Sequence, residues 1–145
     1  MIFLSKKSLI RATSYMNPES KEWIGKAEGD WVTMNREYVV TSKPNYDAVC
    51  FHAQQCAEKY LKGYMFHRNI PFAKIHDLPK LLKDLIIRES EFSKLKDSAI
   101  VLTSMAIEIR YPGMQAIKTD AKRAIKNCTL FRTQFRSAFE LPDEN

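Results

Sequence analysis

Glycine is scarce in this chain, with four residues in 145. An all-β protein rich in tight turns needs more, because such turns draw on glycine's freedom at positive φ. Histidine is equally thin: His52, His67 and His76 are the full set. His52 and His67 stand fifteen residues apart on one predicted helix, too far to share a metal ion. The three cysteines, Cys50, Cys56 and Cys128, lack metal-ligand spacing and fall inside apolar helical patterns. They read as reduced, buried thiols of a reducing, cytoplasmic compartment. Cys56 has His52 one helical turn before it, but the cysteine leans toward the apolar side, which argues against a nucleophile. No glycine-rich phosphate loop, HExxH, CxxC, EF-hand or GxSxG pattern occurs. No catalytic residue, cofactor or metal is expected from this inventory. No window approaches the ~18 apolar residues of a membrane span. The opening residues, split by Lys6-Lys7, lack the apolar core of a signal peptide.

The composition describes one soluble helical domain. Hydrophobic residues make up 45% and charged residues 28%, enough apolar material for a sizeable core. The net charge of +6 is compatible with nucleic acid or an acidic partner and decides neither. Residues 1–17 read as an extension, 18–140 as a helical domain and 141–145 as a frayed tail.

Helical periodicity accounts for most of the domain. A first helix is predicted over 18–41, with Asn17 as cap, Pro18 in the first turn and Trp23, Ala27, Trp31, Met34 and Tyr38 as its buried stripe. Asp30 lies at the stripe's edge, either as a partly exposed acid or as a carboxylate paired with a cation from another helix. Gly25 and Gly29 would suit a close helix crossing. Pro44 breaks the chain and Asn45 caps a second helix over 46–68, so the two should pack antiparallel. Tyr46, Val49, Cys50, Ala53, Ala57, Tyr60, Leu61 and Tyr64 form the second stripe. Asp77 and Pro79 open a third helix, to about 87, carrying Leu78, Leu81, Leu82 and Leu85. A fourth is placed over about 91–104, with Phe92, Leu95, Ala99, Ile100 and Leu102 as its apolar positions. A fifth is placed over 118–139, with Ile117, Ala121, Ala124, Ile125, Cys128, Phe131, Phe135 and Phe139 as its stripe. The expected fold is all-α: an up-and-down bundle of four to five helices around a long antiparallel pair.

Three polar features stand apart from these stripes. His52, Gln55 and Lys59 align with Phe66 on the second helix, roughly opposite its buried face. The stretch 105–115 looks least helical; it carries Glu108, Arg110 and Tyr111 before the Pro112-Gly113 turn signal. Finally, Lys118, Lys122, Arg123, Lys126, Arg132 and Arg136 against Asp120 give the last helix +5 over 118–136, nearly all the excess charge. That face is either solvated or an electrostatic footprint for RNA, a nucleotide or an acidic protein.

Four segments in order, WIGKAEGDW (23–31), NYDAVCFHAQQCAEKYLKGYM (45–65), HDLPKLL (76–82) and RYP (110–112), make the chain resemble the HEPN domain family. The resemblance spans about residues 18 to 139 and implies an α-helical bundle that commonly forms homodimers. It further implies a small nucleotidyltransferase as partner, in two-subunit or toxin–antitoxin systems, or nucleotide binding. Many relatives are metal-independent ribonucleases whose motif is an arginine, four to six residues, then a histidine. Here Tyr111 to Ile117 follow Arg110 with no histidine, and none lies beyond His76. The enzyme reading is therefore disfavoured. The recurrent family positions matched are His52, Gln55, Glu58, Lys59, His76, Asp77, Arg110 and Tyr111. They are expected either to line a polar groove for a nucleotide or to form a dimer contact or structural network with Asp30. The basic face of Lys118, Lys122, Arg123 and Lys126 leaves an RNA-binding module as a further alternative, beside a ribonuclease with a degenerate motif.

Overall fold

Asparagine and aspartate caps set the helix starts. The computed structural model describes residues 16–142, so expectations for 1–15 and 143–145 lie outside the described residues. Helix α1 (Pro18–Tyr38) is capped by Asn17, whose side chain accepts from the Glu19 N–H. Helix α2 (Tyr46–His67) is capped by Asn45, and α3 (Leu78–Arg88) by Asp77. A 3-10 helix (Ser90–Leu95) leads directly into α4 (Lys96–Glu108), and α5 (Lys118–Ala138) closes the domain. The architecture is all-α, with five α-helices and no strand among the described residues.

α1 and α2 form the antiparallel pair expected from their short connection. Tyr38 meets Tyr46 beside the loop, with ring centroids 6.4 Å apart. At the far end Gly63 lies against Trp23 and Ile24. α2 is the central element, packing against α1, α5, α4 and α3. Val49, Ala53, Cys56, Ala57, Tyr60, Leu61 and Met65 are wholly buried. The helix interfaces close over Leu78, Leu81, Leu82 and Leu85 of α3 and over Phe131 and Phe135 of α5. Phe92 stacks on Phe135 at 4.9 Å. Cys50, Cys56 and Cys128 are free and buried, and burial pushes the Cys50 thiol up to about 12.

Several local expectations are corrected. The close approach is not at Gly25 or Gly29, which have open space around them, but at Gly63, where a Cβ would lie 2.8 Å from the Trp23 Cβ. Trp23 and Trp31 are only half-buried; Ile24, Ala27 and Met34 carry the α1 core, and the Arg132 guanidinium covers the Trp31 ring at 4.4 Å. α4 starts later and runs further than expected, because 105–108 contain no breaker and Pro112 acts only beyond them. Ile100 and Ile117 are 54% and 63% exposed and do not join the core. Leu141 and Pro142 are held rather than frayed: the Leu141 N–H reaches the Arg136 carbonyl, and Arg136 Nε donates to the Pro142 carbonyl, both at 2.8 Å.

Candidate functional site

α2 carries far more buried polar chemistry than an amphipathic stripe requires. Besides the half-buried His52, Gln55 and Lys59, it encloses Gln54, Glu58 and Lys62, all at most 5% exposed. A buried charge is tolerated only when paired and hydrogen-bonded. Each buried carboxylate here collects its own partners.

Asp30 of α1 receives His52 Nδ1 at 2.7 Å and the Lys59 ammonium. Of its two readings, the paired core-edge carboxylate is therefore what the fold contains. Glu58 receives Gln54 Nε2 at 3.0 Å, Lys62 Nζ at 3.2 Å and His76 Nδ1 at 3.1 Å. Gln54 Nε2 also donates to the His76 carbonyl at 3.1 Å, fixing the loop before α3, and Gln55 donates to Gln54 Oε1 at 2.8 Å.

Glu28 was not visible as a site residue in the sequence. It takes a two-pronged contact from Arg132, at 2.9 and 2.7 Å, the Tyr60 hydroxyl, and Arg136 at 3.4 Å. Burial opposes its ionisation, but the hydrogen bonds from Arg132 and Tyr60 and both arginine charges prevail and hold it below the usual carboxylate range. Arg132 and Arg136 are accordingly buried, not part of the outer basic surface. Lys118, Lys122, Arg123 and Lys126 remain exposed on α5. Asp120 folds back to accept the Ile117 N–H at 2.9 Å.

The predicted site residues thus separate into two groups. His52 and Lys59 meet on Asp30. Glu58 holds His76, and His76 shares a shallow cleft of about 190 Å³ with Gln54, Asp77, Thr103, Ala106, Ile107 and Arg110. The His76 side chain is 71% exposed while Glu58 beneath it is 4% exposed. A carboxylate on Nδ1 orients the imidazole and favours the tautomer with its proton there, which leaves Nε2 as an acceptor. The same cleft therefore presents an oriented imidazole, an exposed guanidinium and the Asp77 carboxylate. Tyr111, 61% exposed, follows Arg110 in the turn after α4. Among the described residues no group of three or more metal-ligating side chains comes together. No helix there is long and apolar enough to cross a membrane.

The family model of the HEPN domain matches residues 20–137, nearly all of the described bundle. The chain belongs to the HEPN family. Its fold is similar to the crystal structure of an archaeal HEPN homologue, at a TM-score of 0.65 and 21% identity over 83% of this chain and 97% of that one. A search of curated proteins finds no match. Within this HEPN domain, the FHAQQ segment supplies His52, Gln54 and Gln55, and AEK supplies Glu58 and Lys59. Its most distinctive stretch therefore supplies the α2 side of the Asp30 network and the centre of the Glu58 network.

Proposed function

We propose that this HEPN domain is a nucleotide-binding and assembly module, working as a homodimer and as the non-catalytic partner of a minimal nucleotidyltransferase. The observation that carries the ligand half is the His76–Arg110 cleft. Arg110 is suited to a phosphate as a charge-assisted donor, His76 Nε2 to a second polar contact, and Asp77 to a ribose hydroxyl. Glu58, Gln54 and Gln55 support the cleft from below, while His52 and Lys59 stabilise the α1–α2 pair through Asp30. The partner half rests on family membership. The dimer reading is supported by apolar side chains left in solvent along the long pair: Val32 of α1, Val39 at the C-cap just beyond it, and Phe51 on α2. Co-expression with a minimal nucleotidyltransferase, light scattering on the product, and calorimetric titration with nucleotides test the three parts separately. A monomer that neither copurifies with such an enzyme nor binds any nucleotide would sink the proposal.

One observation favours a second reading. The ribonuclease motif is absent as a contiguous spacing, yet the fold brings Arg110 and His76 from different elements to one cleft. A ribonuclease with this displaced pair would cleave RNA without metal and lose roughly 10²-fold or more in rate with His76→Ala, the usual contribution of a general acid–base. The assembly reading expects no cleavage by either protein.

A further inference from the structure

α3 is apolar on more than its core face. Leu78, Leu81, Leu82 and Leu85 point into the bundle, yet Ile87 is 75% exposed. Ile100 of α4 is 54% exposed. Isoleucine is a middling helix former, so local propensity gives no reason for it at solvent positions. These residues line one groove of about 330 Å³ with Pro79, Leu82 and Ile86. The charged residues lining it are Lys83 from the α3 wall and Lys96 from the α4 wall. α3 spans 11 residues, so the groove wall is about 16 Å long, enough for some three turns of a docked helix.

We infer that this groove receives an amphipathic helix of a partner protein, with its apolar stripe on Ile87 and Ile100 and acidic side chains against Lys83 and Lys96. Helix-in-groove docking of this kind is read by apolar anchors at i, i+3, i+4 and i+7, with rim charges setting the choice of partner. A second copy of this chain is a poor occupant. In a twofold contact through this groove the same lysines would face each other, and the chain carries +6 overall. The inference rests on the partner-binding half of the proposed function and uses a set of residues that shares none with the neighbouring His76 cleft.

The test uses the whole chain and a designed helical peptide of about 16 residues, with leucines at i, i+3, i+4 and i+7 and glutamates on both flanks. A matched peptide carries lysines on the flanks instead. Fluorescence anisotropy is expected to show the acidic peptide binding at least about tenfold tighter than the basic one. Ile87→Gln with Ile100→Gln should abolish binding, and Lys83→Glu with Lys96→Glu should reverse the preference. All four positions are at the surface, and a melting curve confirms that each variant folds. Equal affinity for both peptides, binding by neither, or binding untouched by the substitutions would overturn the inference. So would a wild-type dimer that the isoleucine variants convert to monomer, since the occupant would then be a second copy. Nucleotide titrations on the same samples should be unchanged by these substitutions, so failure of the groove and failure of the cleft are distinguishable.

Discussion

His76 Nδ1 lies 3.1 Å from both carboxylate oxygens of Glu58, an exposed ring on a buried acid. The same acid is the ion-pair partner of Lys62, which is 5% exposed. One carboxylate thus orients the cleft and compensates a buried cation.

Glu58→Ala should therefore be severe. It strands the Lys62 ammonium among apolar neighbours, and breaking a buried pair costs about 3–5 kcal/mol. Urea unfolding measures this directly. His76→Ala, whose ring is largely in solvent, should cost well under about 1 kcal/mol on the same assay.

Asp30→Ala should cost less than Glu58→Ala, about 1–2 kcal/mol. Its partners His52 and Lys59 have side chains 26% and 22% exposed and recover hydration once released. Lys59→Ala should lower stability without altering nucleotide binding; the reverse outcome would return Lys59 to the ligand groove.

The glycines give a comparison of opposite signs. Gly25→Ala and Gly29→Ala meet open space and should stabilise α1 by about 0.5–1 kcal/mol each. Gly63→Ala drives a Cβ into the Trp23 Cβ, at 2.8 Å, and should destabilise by about 1–3 kcal/mol. Thermal melts of the three variants decide the point.

Glu28 sets part of the acid limit. Its carboxyl is held below the ordinary 4.5, so the folded state binds fewer protons than the unfolded state between the two values. That contribution is fully present above the ordinary value and lost as pH falls through the folded one. Glu28→Gln should flatten stability against pH below about 4.5, and a profile parallel to wild type would contradict the assignment.

Local signals were readable and long-range pairings were not. Asn17, Asn45 and Asp77 are caps because each acts on an N–H two or three residues away. The α2 stripe was legible because helical period reports burial wherever one face meets the core. Glu28 was invisible because its partner Arg132 lies 104 residues onward. The only local hint was that Arg132 and Arg136 sit one turn apart, each directly after a core phenylalanine. Ile100 falls in the predicted core because periodicity registers apolarity without distinguishing a core position from the wall of an exposed groove. The His76–Arg110 cleft needed the fold, since α4 had to extend to Glu108 before Arg110 was placed opposite α3.

The most direct measurement is the thermal shift of the purified chain with ATP, GTP and other nucleotides, repeated on Arg110→Ala. A ligand that binds only the folded state at 100 times its Kd adds about 2.7 kcal/mol. A raised melting point is expected with at least one nucleotide, lost in Arg110→Ala, whose unliganded melting point stays at the wild-type value. A shift that survives Arg110→Ala, or no shift with any nucleotide, would contradict it.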